Sequence, residues 1–192
     1  MTFERAAAVA LAALATLASM PGAAQPATYV LDPERSFVHF ELLHFNTSTI
    51  RGRFGPLQGA VVLDPAAGRG EISLRIDTAR VDTGLKVFDA RLRRDDLLAS
   101  DAYPEAFFVA RQFSFEGGQL TGLRGEFTWR GVSQPLSFRA TRFACRVDVE
   151  GSQTCGADLQ AELLRSTFGA TFGLPLVADT VRLVVQVQGT RR

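Results

Sequence analysis

The chain offers few side chains that could carry covalent chemistry. Its two histidines, His39 and His44, fall within one short stretch, and its two cysteines, Cys145 and Cys155, lie far downstream. In extended backbone successive side chains alternate between faces, so His39 and His44 point to opposite sides. No compact set of Cys, His and carboxylate side chains then emerges to hold zinc. There is no G-x-S-x-G elbow, no glycine-rich phosphate loop and no dinucleotide fingerprint. A Ser, His and Asp site assembled in space stays open, because such sites are defined by geometry. No catalytic residue, metal ligand or cofactor is assigned. What the polar residues could do is hold the head of a ligand. His44, Asn46, Ser48 and Arg51 follow one strand, and Arg165 and Ser166 follow another; the alternative is that they satisfy loop backbone groups. His39, by parity, is read as a partly covered structural residue. Asn46-Thr47-Ser48 also matches a glycosylation sequon.

The elements that would position these groups are strands. From Ser36 to Gly55 apolar residues occupy both alternating faces, with Val38, Phe40 and Leu42 on one and Phe37, Leu43 and Phe45 on the other. A strand in a closed antiparallel sheet explains this, with one side lining an interior and part of the other covered by a helix or a partner subunit. Val61 and Leu63 precede the Asp64-Pro65 turn, and Ile72, Leu74 and Ile76 alternate with charged residues. From Leu85 to Leu98 the period lengthens, with Leu85, Phe88 and Leu92 on one stripe, which predicts a single amphipathic helix. Strands resume at Phe107, where Phe107, Val109, Phe113 and Phe115 share a parity. A two-residue turn would set Val109 opposite Glu126, whereas a three-residue loop, Gly117 to Gln119, would pair Phe113 with Leu123, Val109 with Phe127 and Phe107 with Trp129; the second puts apolar side chains together and is preferred. The apolar phase then changes between Ala140 and Phe143, which predicts a β-bulge near Thr141-Arg142. Ala157 to Leu163 and Val181 to Val187 complete about eight strands. The expected fold is all-β, an eight-stranded antiparallel barrel with one amphipathic helix.

Residues 1–24 read as a secretory signal peptide, with an apolar run from Ala6 to Leu17 and small residues ending near Ala24. The run is shorter than the roughly 20 residues that span a bilayer, and no later stretch is longer, so no stable membrane insertion is expected. Residues 25–192 then form one domain. A net charge of +1, from 21 basic and 20 acidic residues, argues against a nucleic-acid surface. Cys145 and Cys155 lie symmetrically about Glu150 and oppose each other if that hairpin is regular. A structural cross-strand disulfide fits both this spacing and export, whereas a redox role lacks a C-x-x-C.

With these segments in place the chain resembles the YceI-like family of exported lipid-binding proteins. Tyr29-Val30-Leu31-Asp32 with Ser36 and Phe40 resembles its first strand, and His44, Ser48, Gly52 and Phe54 resemble its H-x-x-x-S-x-x-x-G-x-F signature. Tyr103-Pro104 with Phe107 or Phe108, Gly125 with Gly131-Val132, Cys155-Gly156-Ala157-Asp158, and Arg165-Ser166 with Phe168-Gly169 follow in the family's order. One departure is Arg35, where D-x-x-H-S is usual. The resemblance implies a lipocalin-like barrel, a periplasmic location, frequent homodimers, and a long amphiphile as ligand: a polyisoprenoid, an isoprenoid quinone or prenyl phosphate, or a fatty acid or amide.

Phenylalanine outnumbers tyrosine and tryptophan, 15 against two and one, so the aromatic surface mostly lacks a polar handle. Composition alone favours a core packed solid with these rings; the resemblance turns the reading towards a cavity. Strand phase names its wall: Phe40, Leu42, Ile72, Leu74, Ile76, Phe113, Phe127, Trp129, Phe138, Phe143, Leu159, Leu163, Val181, Leu183 and Val185. The leading expectation is a carrier or store that leaves its lipid unchanged. The alternatives are an interaction module with a dry core and, behind it, a lipid-modifying enzyme.

Overall fold

The computed structural model describes residues 26–65 and 67–192, so the leader expected over residues 1–24 lies outside the described residues. Ten strand segments form one antiparallel sheet: β1 (Ala27–Leu31), β2 (Phe37–His44), β3 (Ser48–Phe54), β4 (Gln58–Asp64), β5 (Arg69–Asp77), β6 (Glu105–Glu116), β7 (Gln119–Trp129), β8 (Val132–Val147), β9 (Gln153–Leu164) and β10 (Thr180–Arg191). The ladder runs β1-β4-β5-β6-β7-β8-β9-β10 and returns from β10 to β1, closing a barrel of eight strands. β10 pairs with β2 through Leu183↔Phe40 and with β1 through Gly189↔Leu31. β1 and β2 are thus two halves of one barrel strand, broken between Asp32 and Ser36. Ser36, wholly buried, spans the break: its hydroxyl donates to the Gln188 carbonyl and accepts from the Gln188 amide.

The strands place their apolar residues as alternation requires. β5 reads buried at Ile72, Leu74 and Ile76 and exposed at Glu71, Ser73 and Arg75, so its inner face is the core. The β8 phase change is a bulge at Thr141, which lies between the pairs Ala140↔Leu159 and Arg142↔Asp158 and donates its hydroxyl to the Asp158 carbonyl. Cys145 opposes Cys155, and the two are bonded.

Two expectations are corrected. The β6–β7 hairpin turns on Gly117-Gly118 with Glu116↔Gln119 paired, a two-residue loop. Phe113 does face Leu123, but extra residues at Thr121 on β7 and Arg111 on β6 shift the register. Val109 therefore pairs with Glu126 and Phe107 with Thr128, both on the outer face, and Phe108 replaces Phe107 inside, edge-on to Phe138 at 5.1 Å. A bulge reverses which parity faces the core, and here each parity carries a phenylalanine, so alternation could not reveal it.

The helix is also shorter than its periodicity suggests. α1 spans Lys86–Leu92, and residues up to Leu98 continue as turns. Arg91 forms an ion pair with Asp96, and the Ala99 and Ser100 amides bond back to Arg94 and Arg93 carbonyls as Ala99 enters the left-handed region at φ 53°. Leu85 is 67% exposed, so the buried stripe begins at Phe88. α1 does not cover the outer face of β2. Among the described residues the far side of β3 carries the isolated bridge Arg53↔Asp82, and α1, which follows Asp82, turns Phe88 and Leu92 to the barrel interior.

Candidate functional site

The barrel encloses a cavity of about 220 Å³. One buried water needs roughly 10–15 Å³, and an apolar cavity of roughly 150 Å³ stays dry and takes up benzene. A space of this size and lining is therefore suited to hydrocarbon. Every apolar residue named from strand phase lines it except Phe113 and Phe143, which line a smaller space of about 40 Å³ beside Cys155 and Leu120. Phe115 stands near both, 6.3 Å from Phe113 and 6.5 Å from Phe143. This cluster packs beside the core at the Cys155 end of the barrel.

The wall includes residues that strand phase did not name. Val38, Ile50 and Phe54 come from β2 and β3, Ala106 and Phe108 from β6, and Leu136 from β8; Leu97, Leu98, Ala170, Phe172 and Val177 come from the loops at the open end. Ile50 and Phe54 alternate with exposed Arg51 and Arg53, a signal the sequence did carry. Loop residues have no such period.

Two arginines build the open end. Arg165, 4% exposed, opens the 3₁₀ turn Arg165–Phe168 directly after β9. Its Nε donates to the Ala178 carbonyl at 2.9 Å, Nη1 to Ala170 at 2.6 Å and Nη2 to Val177 at 2.9 Å. The guanidinium thus ties the loop after the 3₁₀ turn back upon itself. Burial pushes its pKa below the ordinary value, opposed by the charge of Asp179. Arg130, at φ 52° in the β7–β8 turn, donates to the carbonyls of Phe168, Asp95 and Leu97. It joins three separate segments. Phe168 packs between Phe127 and Trp129, 5.5 Å from each ring.

Polar groups on the cavity wall are few. Thr78 donates to the Tyr103 carbonyl at 2.8 Å. Arg91 pairs with both oxygens of Asp96 at 2.6 and 2.7 Å, which raises its own pKa and lowers that of Asp96, and it lies 4.1 Å above the Phe172 ring. His44, half-buried, bridges to Val177. A family model for the YceI-like domain matches residues 29–189.

The chain belongs to the YceI-like family.

Protein YceI of Shigella flexneri is 28% identical over 183 residues, covering 93% of this chain and 94% of that protein. BcnA of Burkholderia cenocepacia shares the fold with a TM-score of 0.68 at 22% identity, over 82% of this chain and 98% of that one. A polyisoprenoid binding domain from Saccharophagus degradans does so with a TM-score of 0.62 at 19% identity, over 85% and 98%.

Of the polar candidates in this YceI-like chain, only His44 and Arg165 reach the cavity. Asn46 sits in the exposed β2–β3 turn at φ 53°, and Ser48 is exposed opposite His44. Arg51 pairs with Glu41 at 3.0 Å on the outer face. Ser166 gives both its amide and its hydroxyl to Asp179. Arg51 and Ser166 are thus engaged by local carboxylates, Asn46 is turned out by its turn, and Ser48 shares the parity of Ile50 and Phe54 but lies exposed at the start of β3. Arg35, in the family's histidine position, is exposed and 3.5 Å from Asp32. His39 is exposed rather than partly covered. Among the described residues no three His, Cys, Asp or Glu side chains gather as a metal site would require.

Proposed function

We propose that this protein is an exported carrier or store for one long apolar amphiphile, a polyisoprenoid, isoprenoid quinone or fatty acid derivative, held in the barrel without chemical change. The observation that carries the reading is the cavity of about 220 Å³ with an almost wholly hydrocarbon wall. A protein selected only for its surface would fill that space with side chains, since cavities cost stability. The cavity therefore weighs against an interaction module with a dry core. The Saccharophagus degradans neighbour, described as polyisoprenoid binding, supports the ligand class. A periplasmic location accords with the apolar leader, with the disulfide between Cys145 and Cys155, and with the described residues holding no helix long and apolar enough to cross a membrane. A homodimer would cover the outer apolar residues of β2 and its turn, Leu43 and Phe45, about half exposed in the single chain.

Native mass spectrometry of the exported protein, with organic extraction and identification of what it carries, tests this. A stoichiometric prenyl or acyl compound, recovered intact, is the expected result. A protein that is repeatedly empty and refuses quinones, prenyl phosphates and fatty amides overturns the reading. Turnover of the bound lipid, lost in His44→Ala with binding intact, would make it an enzyme.

A further inference from the structure

The cavity wall is electrostatically one-sided. Besides His44 it carries two ionisable residues, Arg91 and Arg165, and among its described residues there is no Asp, Glu, Asn, Gln or Tyr. Arg91 is already matched by Asp96. Arg165 is not matched in this way. It forms no ion pair among the described residues; Asp179, whose carboxylate oxygens both accept from Ser166, acts on the guanidinium by its charge without direct contact between the two groups. Three carbonyl dipoles lower the cost of burying its charge, but they leave the charge itself in place. Each terminal nitrogen gives one N–H to those carbonyls and, by guanidinium geometry, retains another. Trp129, also on the wall, has a buried indole N–H without an acceptor. The site therefore offers donors and positive charge and lacks strong acceptors.

We infer that the cavity selects amphiphiles with an anionic oxygen head, a phosphate or a carboxylate, and that Arg165 is the residue that recognises it. A buried guanidinium with one free N–H on each terminal nitrogen suits two oxygens of such a group. Arg165 begins where β9 ends, at the same end of the barrel as His44 and Val177. The head sits there, and the tail runs inward along Leu163, Leu159 and Phe138. An uncharged alcohol of equal length fills the same apolar space and brings the guanidinium no anionic partner inside the cavity. This inference rests on the carrier reading, and the experiment separates the two.

The test is displacement of N-phenyl-1-naphthylamine, an uncharged apolar fluorophore, from delipidated protein. The competitors are hexadecanoate against 1-hexadecanol and farnesyl monophosphate against farnesol. Each acid is expected to displace the fluorophore at about ten-fold lower concentration than its alcohol, and the pair with the larger advantage over its own alcohol tells whether phosphate or carboxylate is the preferred head. In Arg165→Gln the advantage falls to about three-fold or less. The second measurement needs no variant: the Arg165 side-chain N–H resonances shift on adding hexadecanoate and stay in place on adding hexadecanol. Equal displacement by acid and alcohol overturns the inference and leaves the carrier reading standing. If neither fluorophore nor any competitor binds, both fall. An acid advantage undiminished in Arg165→Gln, or resonances that do not move, overturns the assignment to Arg165.

Discussion

Gly52 shows how closely the wall is drawn around the cavity. It pairs with Phe40 across β2 and β3, and a methyl group at Gly52 would lie 2.5 Å from Phe40 Cζ, 2.6 Å from Cε1 and 3.0 Å from Thr83 Cγ2. Carbon atoms settle at about 3.5–4.0 Å, so in Gly52→Ala the Phe40 ring must retreat by about 1 Å or more. Phe40 lines the cavity, so the ring has room to move. The packing cost then stays at the low end of about 1–3 kcal/mol. Removing a glycine from strand conformation restores about 0.4–1 kcal/mol through the unfolded chain. The net loss of stability is expected to be about 1 kcal/mol or less, while the displaced ring occupies ligand space. Urea denaturation reads the first quantity and fluorophore titration the second, where affinity should fall several-fold. Adding Phe40→Leu removes the clash, so the two substitutions are strongly non-additive in both assays. A stability loss above about 3 kcal/mol with unchanged fluorophore affinity would refute the reasoning, because it would mean that the ring has no cavity to enter.

Other perturbations act at sites away from Gly52. Replacing both Cys145 and Cys155, separated by 10 residues, should lower stability by about 2–3 kcal/mol on the chain-entropy account; fluorophore binding to the folded fraction stays the same, since neither cysteine lines the main cavity. Arg130→Ala leaves the Phe168, Asp95 and Leu97 carbonyls without their donor, at a cost of about 2–4 kcal/mol in total. Faster amide exchange around residues 95–103 and 166–170 would report the loosened open end, and unchanged exchange would deny Arg130 that role. The Arg69 hydrogen bond, aided by the Ala67 amide and opposed by burial, holds the Asp64 carboxyl below its ordinary pKa of 3.8. Because folding lowers this pKa, its stabilisation is fully present above 3.8 and is lost as pH falls through the depressed value. The stability difference between wild type and Asp64→Asn should hold steady from neutral pH towards 3.8 and shrink below it; a difference that persists in strong acid would disprove the assignment.

Alternation and spacing pointed to a closed antiparallel sheet, because between bulges such a sheet keeps one parity facing inward, and the resemblance pointed to a lipocalin-like barrel. The Thr141 bulge was legible since aliphatic and aromatic residues of opposite phase flank it, and the disulfide since its cysteines sit symmetrically about the turn. The bulges at Arg111 and Thr121 were not legible: Phe107 and Phe108 satisfy either parity, and only pairing with β7 selects Phe108 for the interior. The end of α1 is hidden in the sequence because Leu97 and Leu98 face the cavity from a turn, so their burial imitates a continuing helical stripe. Most of the strand wall of the cavity was therefore readable, and its open end was not. Strand periodicity by itself determined which residues turn inward wherever no unmarked bulge changes the phase, since side-chain direction follows backbone repeat. The tertiary structure decided what lies at the open end, where the Arg91 segment meets the distant stretch from Arg165 to Phe172 and both are tied by Arg130 and Arg165 bonds to carbonyls, which any residue type can supply and no sequence pattern records.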